Sequence, residues 1–310
     1  MYKKNKKKLK VIYIAGETRS GSTILSDILG EINGFFNAGE LIEIWDRGLE
    51  WSCSCGIAVE SCVIWSKILE KVLNGKNFSD VQNFIRLRNK AAKSRKIPQL
   101  LVIPGARSKF EADLNTYLQA LTELYKAIQS VTKSQVIIDA SKNIGYCYIL
   151  GLLPDIDLYV VHLVRDARAI FYSWTQKKRG LWSKKSYGLS LRWWIRNIAA
   201  ELLGKKLDDK YLILKYETFV ERPIESVNSI LNLIKENPMK LPFVNKTEFK
   251  LETSHGICGN PDRFKRGIIK LRSDERWKRM KRIDKTFVTF LTWPLLLRYR
   301  YPIIPRFKID

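Results

Sequence analysis

The sequence predicts an α/β fold in which helices flank a central parallel sheet. Two apolar, β-branched runs, residues 11–15 and 158–164, are typical of strands buried on both faces. Between such runs, apolar residues recur at helical spacing, and strands that alternate with helices build a parallel sheet. A loop with glycines at both ends, residues 16–23, joins the first strand to the first helix. Together these features favour a three-layer arrangement.

The glycine loop, GETRSGST at residues 16–23, is typical of an anion-binding site, because loop N–H groups and the positive end of the helix dipole converge there. Gly16 and Gly21 have the spacing of a P-loop, so the predicted fold is P-loop-like. Ser22, however, stands where an NTPase needs its phosphate-binding lysine. With the charge of Arg19 and two adjacent hydroxyls, the loop suits one compact anionic group. A degenerate P-loop and an ordinary βα turn are the alternatives.

The other elements follow in chain order. Residues 1–10 form a basic arm, and residues 37–40 mark a turn after a short strand. Further strands are predicted at 135–139, 158–164 and 211–215, and helices at 67–97, 112–130, 144–153, 166–174, 189–204 and from Pro223 onward. We find no internal repeat or linker, so we expect one domain at 11–285 with a loop-rich and helical insertion at about 41–130. Residues 286–310 form an apolar and basic C-terminal segment.

Composition excludes a disordered chain and points to anionic partners. The 310 residues are 45% hydrophobic, and 55 basic against 31 acidic residues give a formal charge of +24. The sequence predicts no signal peptide, because the apolar run behind the basic start is only five residues long. No run reaches the length of a membrane-spanning helix. We therefore expect a cytoplasmic protein with reduced thiols.

Three of the five cysteines, Cys53, Cys55 and Cys62, lie within ten residues of one another. Zinc would need a fourth ligand, and neither His162 nor His255 is near them in sequence. We therefore predict a packed loop that is reduced or able to form a disulfide, and no metal site.

Residues that follow the predicted strands should meet at one edge of the sheet, where open parallel sheets bind their ligands. Those residues are Arg19, Lys142, Arg165 and Glu217. Three basic groups and one acid describe a pocket for a multiply anionic ligand. Ser173, eight residues after Arg165, could approach the same phosphate from a second side. The alternative for Arg165 is a solvated arginine beside a helix that Asp166 caps.

Three motifs in this order resemble the PAPS-dependent sulfotransferases, where PAPS is 3′-phosphoadenosine 5′-phosphosulfate. They are R-S-G-S-T at 19–23, L-V-R-D-A-R at 163–168 and F-K-R-G at 264–267; residues 139–142 and 259–263 are similar to bacterial and carbohydrate-type members. The resemblance implies a phosphosulfate loop, a 3′-phosphate clamp and a closing loop, formed respectively by Arg19, Ser20, Gly21, Ser22 and Thr23, by Arg165 and Ser173, and by Lys265, Arg266 and Gly267. Ala167 departs from the family's usual proline.

The resemblance also implies the reaction, an in-line transfer of a sulfuryl group from PAPS to a hydroxyl on a glycan, lipid or small-molecule alcohol. Such transfer depends on positioning and positive charge, here from Arg19 and Lys142, and requires no metal. Glu40 is the predicted general base, because its offset from Arg19 and its Gly-Glu context resemble tyrosylprotein sulfotransferases. The alternative is that Glu40 only pairs with a pocket arginine. The histidine base of aryl and steroid members is not evident.

Two other functions compete with this one: a P-loop phosphotransferase, and a non-enzymatic protein that binds polyanions or nucleic acid. The first lacks the lysine at Ser22, and the second leaves the glycine loop unexplained, so we do not expect nucleic acid as a partner.

The C-terminal segment, residues 287–307, is apolar and aromatic with basic flanks. We expect Pro294 to interrupt any helix there. The segment either packs on the sheet or associates peripherally with anionic lipid at the inner membrane face.

Overall fold

The computed structural model describes residues 8–93, 97–177 and 184–303. Its centre is a five-stranded sheet in which every neighbouring pair is parallel, in the order β2-β3-β1-β4-β5. The strands are β1 (Leu9–Gly16), β2 (Phe35–Gly39), β3 (Val136–Lys142), β4 (Ile156–Val164) and β5 (Tyr211–Lys215). Helices cover both faces, which confirms the predicted three-layer α/β fold.

The α-helices flank this sheet. They are α1 (Ser22–Gly30), α2 (Arg47–Glu50), α3 (Trp65–Leu73), α4 (Phe78–Ala91), α5 (Ile97–Val102), α6 (Ala106–Thr132), α7 (Ile144–Leu150), α8 (Ala167–Lys177), α9 (Lys184–Leu207), α10 (Tyr216–Glu221), α11 (Pro223–Ile234) and α12 (Arg282–Arg298). Two short strands, β6 (Glu248–Leu251) and β7 (Gly267–Lys270), form a separate antiparallel pair.

The central strand β1 shows why the sheet needs two helical layers. Val11 and Tyr13 point into one hydrophobic core, whereas Ile12 and Ile14 point into the other, and all four are fully buried. Full burial of such a side chain contributes roughly 1.5–3 kcal/mol. The first core contains α3, α4, α6 and α7 from the segment between β2 and β4, and the second contains α1 and α11. A third core joins α8, α9 and α12.

Several predicted element boundaries were wrong. Residues 37–39 belong to β2, where Gly39 takes φ 77° and forms a parallel bridge with Ile257. The predicted helix at 67–97 is two helices, because Asn77 starts α4 with a capping box in which its side chain accepts from the N–H of Asp80. The hairpin β6–β7 and the helix α10 had no recognisable pattern. Residues 1–7 of the basic arm lie outside the described residues.

The C-terminal helix α12 runs through Pro294, so the prediction that this proline interrupts the helix was wrong. Leu295 and Leu296, which follow the proline, are buried in the third core, and this packing offsets the missing hydrogen bond. The opposite face is exposed, with Ile283 at 75% and Phe290 at 72% of full accessibility. Within the described residues, no helix combines the length and apolar character needed to cross a bilayer. The last residues of the predicted segment, 304–307, fall outside the description.

Candidate active site

The glycine loop lies between β1 and α1 and is held in place by glycines that cannot be replaced without a clash. A Cβ on Gly16 (φ 145°) would lie 2.5 Å from the carbonyl oxygen of Leu163. A Cβ on Gly21 (φ 94°), the N-cap of α1, would lie 2.5 Å from the ring of Tyr216. The loop is therefore pressed against β4 and α10, with the N-terminus of α1 directed at the space above it.

A buried carboxylate anchors the loop from the other side. Glu17 accepts hydrogen bonds from Arg196 at 3.0 Å and from Arg192 at 3.1 Å, both on α9. Arg19 is held at φ 73°, a conformation that costs energy in a non-glycine residue. The Ser20 hydroxyl is buried and has no hydrogen-bond partner among the described residues.

Above the loop lies a cavity of about 450 Å³ at the carboxyl ends of the strands. Most of the predicted site residues line it: Arg19, Gly21, Ser22, Thr23, Glu40, Lys142, Arg165, Ser173 and Lys265. The sheet edge thus brings together residues from five separate segments, as parallel topology requires.

At one end of the cavity two arginines and a serine converge. Arg19 Nε donates to Ser173 Oγ at 2.8 Å, and an Arg165 terminal nitrogen donates to the carbonyl oxygen of Arg19 at 2.8 Å. Arg165 is 6% exposed, so the solvated-arginine alternative was wrong, although Asp166 does accept from the N–H of Arg168 at the start of α8. Burial, followed by the charge of Arg165, lowers the pKa of Arg19. Two like charges in one cavity favour a bound anion.

Arg165 lines the cavity, and its guanidinium is only partly committed to other residues. Its Nε is buried without a hydrogen-bond partner among the described residues. The guanidinium lies 4.3 Å from the centre of the Tyr216 ring, and a terminal nitrogen is 3.5 Å from Asp274. Hydrogen bonds from Arg276 and the charge of Arg165 lower the pKa of Asp274 to about 2. Asp274 is thus an anionic partner for the clamp arginine.

A second charged group in the cavity is an ion pair between Lys142 and Glu40. Lys142 Nζ lies 2.6 Å from Glu40 Oε1 and donates to the carbonyl oxygen of Ala140 at 2.9 Å. Lys142 ends β3 with φ 65°, and its side chain is 5% exposed against 19% for Glu40. Glu40 pairs with this lysine, whereas the alternative drawn from the sequence placed it against an arginine.

The predicted closing loop is only partly in the cavity. Lys265 lines the cavity and pairs with Asp262 at 2.8 Å. Arg266 instead donates to the carbonyl oxygen of Ser54, outside the described cavity lining, and Gly267 begins β7 with φ 85°. Asn260, in the segment just before, donates its N–H to Thr23 Oγ1 at 3.4 Å. This segment closes the cavity over the N-terminus of α1.

Glu217, His162 and His255, which the sequence analysis named, do not line the cavity in the described structure. Glu217 accepts from the Tyr301 hydroxyl at 2.6 Å behind Arg165, and burial raises its pKa. His162 bonds to Tyr211 at 2.7 Å and to Asn197 at 2.8 Å, and burial lowers its pKa to about 4. His255 lies beside the cysteine loop. The expectation that Glu217 would share the pocket with the basic groups was therefore wrong.

The sequence analysis missed five further cavity residues. Trp174, Tyr216, Arg272, Asp274 and Arg276 all line the cavity. Tyr216 follows directly after β5, so the rule that located Lys142 and Arg165 could have located it too. Asp274 and Arg276 come from an irregular segment after β7, where no periodic pattern indicates what they face.

Comparison with known proteins identifies the family of this chain. A family model described as the sulfotransferase family matches residues 12–237. The chain is similar in structure to the sulfotransferase domain of the Synechococcus PCC 7002 olefin synthase, with a TM-score of 0.54, 18% identity, and 97% of this chain and 98% of that domain covered. A sulfotransferase domain from the curacin biosynthetic pathway has a TM-score of 0.50, 15% identity, and 95% and 98% coverage. A search of curated protein sequences found no match. The family match spans most of the chain, so the protein belongs to the sulfotransferase family.

Proposed function

We propose that this protein transfers a sulfuryl group from PAPS to a hydroxyl acceptor. The observation that carries the proposal is a single cavity that holds two distinct kinds of charged group. The pair Arg19 and Arg165, with Ser173, suits a phosphate, and the Lys142–Glu40 pair suits a transfer reaction. A donor that carries a phosphate at one end of a nucleoside and a transferable anionic group at the other matches both parts of the cavity.

The donor's phosphosulfate would lie over the glycine loop at the N-terminus of α1. Backbone N–H groups, the hydroxyls of Ser22 and Thr23, and the helix dipole there favour a compact anion. The 3′-phosphate would meet Arg165 and Ser173, where the Arg165 Nε is without a partner in the described structure. Charge-assisted hydrogen bonds of this kind contribute about 1.5–3 kcal/mol each.

In the transfer step, the acceptor oxygen forms a bond to sulfur while the bond from sulfur to the bridging oxygen breaks. The acceptor proton goes to the carboxylate of Glu40, and the leaving electron pair stays on the phosphate of 3′,5′-ADP. Lys142 and Arg19 stabilise the negative charge that develops on the bridging oxygen. Because Lys142 contacts Glu40 directly, it also fixes the carboxylate in the cavity.

The two competing functions explain less of the site. A P-loop phosphotransferase would need a lysine where Ser22 stands, and Lys142 reaches the cavity from β3 instead. A polyanion-binding protein would spread its phosphate contacts along a surface. Here Arg165 is 6% exposed, and its guanidinium lies over the ring of Tyr216.

The proposed acceptor is a hydroxyl compound: a glycan, a lipid or a small-molecule alcohol.

We further propose that the exposed apolar face of α12 lies on anionic lipid. Ile283 and Phe290 are seven residues apart on one side of that helix, and basic residues precede it, among them Lys278 and Arg279. Such a face combines apolar contact with charge complementarity to anionic headgroups.

Calorimetric titration of the full-length protein with 3′,5′-ADP, 5′-AMP and magnesium–ATP tests the donor assignment. We expect 3′,5′-ADP to bind at least ~10-fold more tightly than 5′-AMP, because only the former offers a phosphate to Arg165. Equal affinity for the two nucleotides, or a preference for magnesium–ATP, would contradict the proposal.

A further inference from the structure

Outside the active-site cavity, the fold brings four metal-binding side chains to one point. They are Cys53, Cys55 and Cys62 from the loop after α2, and His255 from the segment before the closing loop. Their ligand atoms all lie within 4.8 Å of one another. The sequence predicts no metal site because no histidine is near the cysteines along the chain. In the fold, His255 lies beside them.

Four of the six distances between these ligand atoms are close to those around a single tetrahedral ion. Cys53 Sγ lies 3.6 Å from Cys62 Sγ, and Cys55 Sγ lies 3.8 Å from Cys62 Sγ. His255 Nδ1 lies 3.3 Å from Cys62 Sγ and 3.7 Å from Cys53 Sγ. Zinc–sulfur bonds of about 2.3 Å and zinc–nitrogen bonds of about 2.0–2.1 Å at tetrahedral angles place sulfurs about 3.8 Å apart and sulfur about 3.6 Å from nitrogen.

A disulfide or a set of hydrogen bonds would account for fewer members of the cluster, and an iron–sulfur cluster would space its ligands differently. A disulfide would join two of the sulfurs at about 2.05 Å and leave the third thiol and the imidazole without a role. Hydrogen bonding does not require the arrangement either, because a neutral imidazole nitrogen accepts one hydrogen bond and two thiols approach Nδ1. An iron–sulfur cluster would hold its protein ligands on separate iron atoms and therefore farther apart.

The backbone around the cluster holds the ligands in position. Gly56, at φ 91°, donates its N–H to the carbonyl oxygen of Cys53 at 2.9 Å, and this turn places Cys53 and Cys55 on the same side. Ser54, between them, donates from both its N–H (3.0 Å) and its hydroxyl (2.8 Å) to the carbonyl oxygen of Gly256. The Trp65 indole donates to the carbonyl oxygen of His255 at 2.5 Å. Such outer contacts orient metal ligands in known sites.

The surrounding charges also suit an anionic metal centre. Three thiolates and one zinc ion carry a net charge of −1, which needs compensation in a partly buried position. Arg263 donates to the carbonyl oxygen of Ser52 at 3.2 Å, and Arg266 donates to that of Ser54, on either side of Cys53. Both guanidinium groups therefore lie next to the loop that carries the cysteines.

We propose that Cys53, Cys55, Cys62 and His255 bind one structural zinc ion, through three thiolates and the imidazole Nδ1. Four protein ligands complete a tetrahedral shell and leave no open position for chemistry. The ion joins the cysteine loop to residues 255–266, whose Ile257 carbonyl oxygen accepts the N–H of Glu40 at 2.9 Å. Gly259 and Asn260 of the same segment line the active-site cavity. Zinc would thus position one wall of the cavity.

The test is the metal content of the full-length protein, purified under reducing conditions from zinc-supplemented cells. We expect one zinc ion per chain by elemental analysis, its release when an organomercurial blocks the thiols, and, after replacement by cobalt, the visible and near-ultraviolet absorption of a tetrahedral thiolate complex. Zinc below one-tenth of an equivalent in protein whose thiols are all reduced, with no such cobalt spectrum, would overturn the proposal. So would a disulfide between Cys53 and Cys62 in the purified protein.

Variants identify the ligands. Cys62→Ser and His255→Asn should each reduce zinc retention severalfold, because each removes one of the four ligands. Cys147→Ala is the matched control, since Cys147 is a buried free cysteine on α7 and should leave one zinc per chain. Equal zinc content in the wild type and all three variants would show that the metal binds elsewhere and would refute this ligand set.

Discussion

Replacement of Arg165 by alanine should abolish the preference for a nucleotide with a 3′-phosphate. In the structure one terminal nitrogen of Arg165 is committed to the carbonyl oxygen of Arg19, while Nε has no partner among the described residues. If the phosphate takes even one charge-assisted hydrogen bond from this side chain, its loss costs about 1.5–3 kcal/mol. We therefore expect the affinity ratio of 3′,5′-ADP to 5′-AMP to fall by about 10- to 150-fold.

The ratio of the two affinities is the quantity to measure, because Arg165 also supports the glycine loop. A general disturbance of the loop would weaken the binding of both nucleotides by the same factor, and this factor would cancel in the ratio. Calorimetry on the wild type, Arg165→Ala, Arg165→Lys and the exposed control Arg107→Ala provides the comparison. The lysine variant keeps the charge but not the planar fork, so its ratio should fall between those of the wild type and the alanine variant. A ratio that stays within twofold of the wild type in Arg165→Ala, in a folded protein, would refute the clamp.

Further predictions concern catalysis, pH and membranes. Glu40→Gln should lower turnover about 10²–10⁴-fold with little change in 3′,5′-ADP affinity, and near-normal turnover would mean that the base lies elsewhere. Burial raises the pKa of Asp27 to about 7. The wild type should therefore lose up to about 4 kcal/mol of unfolding free energy relative to Asp27→Asn as pH rises from about 4 to 7. A difference in unfolding free energy between the two proteins that stays constant across this range would contradict the prediction. The wild type should co-sediment with anionic vesicles in low salt but not in high salt, and Ile283→Asp with Phe290→Asp should abolish this binding; a wild type that stays in the supernatant would exclude the membrane proposal.

The order of strands and helices could be predicted because burial on both faces leaves a clear pattern. Val11 to Ile14 alternate between two cores, so a strand of this kind is apolar on both faces. The rule that ligands bind at strand ends then located Arg19, Lys142 and Arg165. Glu217 also follows a strand, but its side chain lies behind Arg165. The direction of the helix after the strand decides which side chains enter the cavity.

Contacts between distant segments could not be predicted from local pattern. Arg266 has the sequence context of a phosphate-binding residue, but its side chain donates to the carbonyl oxygen of Ser54. His255 meets cysteines that lie far earlier in the chain. Pro294 remains helical because the residues after it are buried, and burial depends on the partner surface. In each case tertiary packing overrides the local signal.

The central claim, that the cavity transfers a sulfuryl group from PAPS, is tested most directly by a double-label experiment. The full-length protein is given sulfur-labelled PAPS and γ-phosphoryl-labelled ATP with magnesium, together with pooled glycan, lipid and small-molecule alcohols. We predict sulfur label in an acceptor, formation of 3′,5′-ADP in equal amount, and loss of both in Arg165→Ala and Glu40→Gln. Phosphoryl label in the acceptor without sulfur label would contradict the account.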